Sequence, residues 1–278
     1  MAEALARTLD YIERQGSRSQ RESFLSCGYP NLDAATGGLP CGALTLISGA
    51  AKAGKTALAL AIARHLAATG YGEVLYVSGA AEVEGLTLRL LSHEAHISIR
   101  DLRRGRLQES SWSDLGAAVK LLTDLPLTFL EHRSSRIDDM CWTAACVERQ
   151  TGLGSVFVDP LSSVRGWSAD PFEQRSVLVA LRHLAAQFGV PIVLCQSDSK
   201  DAVRSEQLHE LELAIHHGEY PGVAGTEGST VRIEVCRPRH QPKSVLMGWD
   251  DQYVRISQPI LGMSRADAGF ASLKHSEP

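Results

Sequence analysis

The run Gly49-Ala50-Ala51-Lys52-Ala53-Gly54-Lys55-Thr56 follows the pattern G-x-x-x-x-G-K-[ST], which gathers the groups needed to hold nucleotide phosphates. Glycines let backbone N–H groups close around phosphate oxygens, and the helix start behind them adds a partial positive charge. Lys55 supplies a cation for the β- and γ-phosphates, and the Thr56 hydroxyl is a ligand for Mg2+. Such a pattern is informative only between a strand and a helix. Both flanks are present, since Ala43–Ser48 is apolar and strand-like while Lys55–Ala68 has helical spacing. A second acidic element, Asp159, closes the apolar run Ser155-Val156-Phe157-Val158. At the C-terminal edge of a parallel sheet it stands beside the loop, where a carboxylate holds a water on the metal. Hydrolysis also needs a group that orients or deprotonates the attacking water. Its natural place, the end of the strand Val74–Ser78, holds Gly79, Ala80 and Ala81, with Glu82 and Glu84 a little further on.

These residues are positioned by an alternation of strand and helix. Strands are expected at Ala43–Ser48, Glu73–Ser78, Leu127–Leu130, Ser155–Asp159 and Pro191–Gln196, and helices at Lys55–Ala68, 84–95, 111–123, 136–150 and 173–188. Near-continuous apolar strands between amphipathic helices predict an α/β core with a mostly parallel sheet covered on both faces. Thr230–Val235 and Ser244–Trp249 flank a turn and predict a closing antiparallel hairpin at the sheet edge. Leu5, Leu9 and Ile12 lie at helical spacing within residues 2–15, ahead of a polar stretch from Ser17 to Ser23. The chain is therefore expected to divide into a leading linker helix and linker (1–22), a main domain (23–256) and a flexible tail (257–278). The apolar stripe of the leading helix must bury against its own domain or against a neighbouring subunit.

Composition narrows the class. Hydrophobic residues at 44% and charged residues at 22% suit a soluble globular protein. No apolar run approaches the ~20 residues of a membrane helix, so no membrane partner is expected. Glu3, Asp10 and Glu13 argue against a transit peptide. The 6 cysteines are scattered without a C-x-x-C pair, which indicates a reducing cytoplasm and no zinc. A net charge of −4 leaves nucleic-acid binding neither supported nor excluded, and any such site must be a local basic surface. His216, His217 and Glu219 read as a surface or edge-strand group rather than a metal site. Asp138 and Asp139 suit the first turn of a helix, Arg100–Arg106 a solvated connector, and Trp112 and Trp142 core or helix packing rather than base stacking.

With these pieces placed, the chain resembles the C-terminal motor domain of DnaB-type replicative helicases and, more distantly, the RadA and KaiC branches. The segment Gly28-Tyr29-Pro30-Asn31-Leu32-Asp33-Ala34-Ala35-Thr36-Gly37-Gly38-Leu39 is similar to that family's lead-in to the phosphate loop. Leu88-Arg89-Leu90-Leu91-Ser92, the run Ile99–Trp112, Leu125-Pro126-Leu127 and Gly152–Asp159 are similar to it as well. The resemblance spans about residues 4–256. It implies a RecA-like core, a homo-oligomeric hexameric ring with Mg-ATP between subunits, single-stranded DNA as a partner, and replication or mobile-element proteins around it. By the same resemblance the leading helix docks on the next subunit, Gln196 senses the γ-phosphate, and Arg239 is an arginine finger offered in trans. Arg237 stands where the family has a lysine two residues before that finger, and paired cations suit a phosphoryl group that must be neutralised.

The chain also departs from that pattern. Ala80 occupies the position of the family's catalytic Glu, leaving Glu82 or Glu84 as the substitute base. Asp159, at the family's Walker B position, is followed by Pro160 rather than Tyr, and Ser197–Leu213 is short and acidic, with Lys200 and Arg204 as its basic residues. No counterpart of the primase-docking N-terminal domain is expected. A rival expectation is thus a nucleotide-binding, weakly hydrolysing accessory protein that organises partners, and a third is a RadA- or KaiC-like repair or regulatory ATPase.

Overall fold

The computed structural model describes residues 23–131, 136–168, 170–197, 208–218, 229–238 and 240–257. The expected leading helix, linker and tail, together with Lys200, Arg204, Glu219 and Arg239, lie outside the described residues.

A short ribbon opens the described chain, with β1 (Phe24–Leu25) antiparallel to β2 (Leu39–Pro40) around helix α1 (Pro30–Thr36). The core elements then follow in order: β3 (Leu44–Gly49), α2 (Lys55–Thr69), β4 (Glu73–Ser78), α3 (Val83–Ala95), α4 (Ile99–Arg104) and α5 (Glu109–Thr123). Next come β5 (Leu127–Glu131), α6 (Ile137–Gln150), β6 (Leu153–Asp159), α7 (Pro171–Phe188) and β7 (Ile192–Ser197). The described residues close with β8 (Leu211–Gly218), β9 (Ser229–Cys236), β10 (Lys243–Asp250) and β11 (Arg255–Ser257). The main sheet has 9 strands in the order β11-β10-β9-β8-β3-β7-β6-β4-β5. It is parallel from β8 to β5 and antiparallel from β9 outward.

Side chains alternate across the pleat, so each inner strand serves two cores. Tyr76, Phe157, Val193 and Cys195 join Leu58, Ile62 and Leu66 of α2 on one face. Leu75, Val77, Val156, Val158 and Leu194 join Met140 of α6 and Leu181 of α7 on the other. This two-sided burial is why the strands read as apolar runs. The helices also carry local start and stop signals. Pro171 opens α7 behind Asp170, whose side chain accepts from the Phe172 amide, and left-handed Gly189 ends it. Asp138 and Asp139 do sit in the first turn of α6.

Three expectations are corrected. The antiparallel pair β9–β10 is not the sheet edge, because β11 pairs outside β10. His216 and His217 belong to β8, an interior strand held by both β3 and β9, rather than to an edge strand. Trp112 and Trp142 are not packed in cores, being 60% and 68% exposed on α5 and α6. The basic run Arg100–Arg106 is solvated, as expected, with Arg100–Arg104 forming most of the short helix α4.

The approach of β6 to the start of β4 leaves no room for a side chain at Gly154, where a Cβ would lie 2.9 Å from the Gly72 carbonyl carbon and oxygen. Backbone on both sides cannot move aside cheaply. Gly154→Ala is expected to destabilise the domain by about 2 kcal/mol and lower Tm by roughly 4–8 °C. Gly116→Ala, at a site in α5 where a Cβ meets nothing within 4 Å, should be neutral or stabilising. Thermal unfolding of the two variants checks the contrast.

Candidate functional site

The phosphate-loop residues form a tight turn between β3 and α2. Gly49 ends β3 with φ 147°, and a Cβ there would come within 2.5 Å of the Ile215 carbonyl oxygen on β8. Lys52 is left-handed at φ 65°, and Gly54, at φ 104°, caps the N-terminus of α2. The Ala53 amide closes the turn on the Ala50 carbonyl at 3.1 Å. Lys55 is buried, and its ammonium donates to the carbonyls of Gly49 at 2.8 Å and Ala50 at 2.7 Å. These bonds hold the cation inside the curve of the loop. Thr56 follows in the first turn of α2.

Asp159 ends β6 and is buried. Strand β7 separates it from the loop in the sheet, and both groups act on the same buried thiol. Burial and the Asp159 carboxylate push the Cys195 thiol well above its usual range, while Lys55 pulls the other way. Lys55 and Asp159 thus converge on the face that carries α2. Cys195 itself stays protonated and acts as a small hydrophobe. Gln196 is the next residue along β7, in register with Ser48. By alternation it falls on the face of Leu194 and Ile192, opposite Cys195. The structure therefore places Asp159 on the sheet face that carries α2 and Lys55, and Gln196 on the opposite face.

The end of β4 abuts the same place. Ser78 pairs with Asp159, and the Gly79 amide donates to the Asp159 carbonyl at 2.9 Å. The Ser78 hydroxyl donates to the Ala81 carbonyl at 2.6 Å and shapes the turn. Ala80 is exposed within that turn. Glu82 and Glu84 are exposed at the start of α3. The Glu82 carbonyl accepts from the Gly85 and Leu86 amides, and its side chain makes no capping bond.

Arg237 turns toward its own domain. Its guanidinium donates to the Thr36 carbonyl at the C-terminal end of α1 and lies 5.6 Å from the Phe24 ring centre. Lys243 reaches the neighbouring Ala35 carbonyl at 3.4 Å. Cations at a helix C-terminus offset its partial negative charge, so the β9–β10 turn is tied to α1.

Two contributors were not foreseen. The Tyr76 hydroxyl donates to Asp159 Oδ2 at 2.8 Å, both groups being buried. Burial and the Asp159 carboxylate raise the phenol well above its ordinary range, so it remains a donor. Trp249 of β10 covers the loop, with ring atoms 2.9 Å from where a Gly54 Cβ would stand. Its indole N–H is held by Asp251 Oδ1 at 2.6 Å, and the His217 ring meets it edge-on at 5.3 Å. A tyrosine within the apolar stretch Val74–Val77 was the one visible signal for the first. Nothing local in the sequence marked the second. Among the described residues there is no cluster of metal-ligating side chains of the His/Cys/Asp/Glu kind and no helix long and apolar enough to cross a membrane.

A family model described as "DnaB-like helicase C terminal domain" matches residues 25–208. The replicative DNA helicase DnaB of Nostoc sp. is 30% identical over 172 residues, covering 61% of this chain and 20% of that protein. The replicative DNA helicase DnaC of Bacillus subtilis is 27% identical over 260 residues, covering 86% of this chain and 57% of that protein. The chain thus spans between 20% and 57% of the length of these relatives. Among solved structures, the ATPase domain of G40P superposes with a TM-score of 0.76 at 15% identity, covering 93% of this chain and 98% of that one. A DnaB-like replicative helicase, described with its interactions with primase, gives 0.75 at 16% identity and covers 94% and 67%. These likenesses establish the RecA-like ATPase fold.

Because the Trp249 ring lies against Gly54, a nucleotide polyphosphate that settles on the loop should change its emission. Titration with a nucleotide is expected to shift intrinsic fluorescence in the parent chain. Trp249→Phe should abolish that shift while the emission of exposed Trp112 and Trp142 remains.

Proposed function

The chain belongs to the DnaB-like helicase C-terminal domain family, and on that premise we propose that it is a ring-forming ATPase. It binds Mg-ATP at subunit interfaces and acts on single-stranded DNA, as a helicase or helicase-related protein, in replication or a mobile-element process. The observation that carries this proposal is the buried Lys55 within a complete phosphate loop, with the buried Asp159 closing β6 on the sheet face that carries α2.

The donor set suits the metal. A threonine hydroxyl and a carboxylate are hard oxygen ligands of the kind Mg2+ prefers, and Thr56 and Asp159 would hold it. When bound, Mg2+ neutralises charge on the β- and γ-phosphates. The loop amides of Gly49–Thr56 bind the phosphates, and Lys55 leaves the Gly49 and Ala50 carbonyls to reach them. Gln196 responds to the γ-phosphate, and Arg239 is the finger offered to a neighbouring subunit. Arg237, anchored on α1, supports the turn that carries that finger. Glu82 takes the part of the water-activating base.

A second function is favoured by Ala80. With no carboxylate at that position, the chain would bind nucleotide and hydrolyse it slowly, organising partner proteins. The two are separated by ATPase rates with and without single-stranded DNA, together with particle mass in a non-hydrolysable analogue. The ring-motor function expects DNA-stimulated phosphate release and nucleotide-dependent assembly, both lost in Lys55→Ala. The absence of both in the parent chain refutes it. Ala80→Glu is expected to raise turnover within the ~10²–10⁴-fold range of a general base if the motor is silenced at this position. An unchanged rate points to Glu82.

A further inference from the structure

The central stretch of β4, Val74–Val77, is buried and apolar except for the hydroxyl of Tyr76. Its ring is fully buried between Phe157, stacked at 5.7 Å and 7°, and Phe129, tilted at 5.5 Å and 57°. A phenylalanine would fill that space equally well. What the tyrosine adds is one buried hydroxyl, and a buried hydroxyl is unfavourable unless it is bonded. Its bond goes to Asp159 Oδ2 at 2.8 Å. Hydrogen bonds to an ionised carboxylate are stronger and more directional than neutral ones. Among the described residues no other group donates to that side chain. The bond therefore fixes the rotation of the Asp159 carboxylate and leaves Oδ1 for an outside ligand.

The opposite end of the arrangement is equally constrained. The Asp159 carbonyl is held by the Gly79 amide, and Tyr76 sits two residues before Ser78, whose strand position pairs with Asp159. Backbone and side chain of Asp159 are thus both fastened to β4.

We propose that Tyr76 is a positioning residue for the metal-binding carboxylate: its hydroxyl holds Asp159 in the rotamer that presents Oδ1 to nucleotide-bound Mg2+. This rests on the assignment of Asp159 to the metal made above. Residues that orient a metal ligand commonly change metal affinity by about 10–100-fold when removed. The phenol acts only through Asp159, so its effect must vanish when Asp159 cannot bind metal.

The test is binding of a fluorescent ADP analogue to the full chain while Mg2+ is titrated, for the parent, Tyr76→Phe, Asp159→Asn and the double variant. Tyr76→Phe is expected to raise the Mg2+ concentration at half-effect about tenfold and to leave metal-free nucleotide affinity unchanged. In the Asp159→Asn background the same substitution should have no effect on the Mg2+ requirement. An unchanged Mg2+ requirement in Tyr76→Phe, or an equal shift in both backgrounds, overturns the assignment. A Tyr76→Phe chain that does not fold overturns it too, because the ring alone should carry the packing. If the parent binds no nucleotide at all, or Lys55→Ala binds it as well as the parent, the underlying nucleotide site fails and the inference falls with it. A negative result for Tyr76 alone leaves that site standing.

Discussion

The register of the parallel strands is the constraint on which the site depends. Ile47 is level with Cys195, Val158 with Leu194 and Ser78 with Asp159. The C-terminal ends of β3, β7, β6 and β4 therefore finish at one height. Because side chains alternate, a slip of one residue in β6 would turn Asp159 to the far face and bring Val158 to the loop. That slip is prevented by burial on both sides, since Phe157 belongs to one core and Val156 and Val158 to the other. The two hydrophobic layers thus aim the acidic residue, although none of their atoms touches a phosphate.

The same arrangement explains how a lysine and an aspartate remain stable when buried. An unpartnered buried charge is costly, and both have partners within the fold. Lys55 donates to two carbonyls of its own loop, which are exposed by the left-handed conformations at Lys52 and Gly54. Asp159 accepts from a phenol that stays protonated. The nearest titratable group between them, Cys195, is neutral for the same reason of burial. Both side chains are thus held by polar groups of the fold itself.

Much of this was legible in the sequence, because apolar strands buried on two faces and a glycine-bounded phosphate loop leave local signatures. The expected helices at 84–95, 111–123 and 136–150 agree with Val83–Ala95, Glu109–Thr123 and Ile137–Gln150 to within a residue or two. Strand β8 was missed because Glu212, His216 and His217 break its apolar pattern. Its partners β3 and β9 are distant or lie beyond an intervening segment. Trp112 and Trp142 were misjudged because helical spacing shows which residues share a face, not whether that face has a neighbour. Arg237 could be matched to a family cation, yet its bond to Thr36 joins residues that no local pattern connects. The same holds for Trp249 over Gly54.

On the proposed function, binding and turnover use different elements, so one can be lost without the other. The loop, Asp159 and Tyr76 belong to β3, β6 and β4, all deep in the sheet. A water-activating base must come from the turn after β4. Gly79 is fixed there by its bond to the Asp159 carbonyl, so position 80 is one residue beyond an anchored point and inherits the rigidity of the sheet. Glu82 is three residues beyond it and already accepts the first amides of α3. An acid at 80 is placed by β4 and β6, whereas an acid at 82 is placed by the start of a helix and reaches outward with an exposed side chain. Since misplacement by about an ångström costs on the order of a hundredfold in rate, moving the base from a position tied to the sheet to one at a helix start would, on the proposed function, affect hydrolysis far more than nucleotide binding.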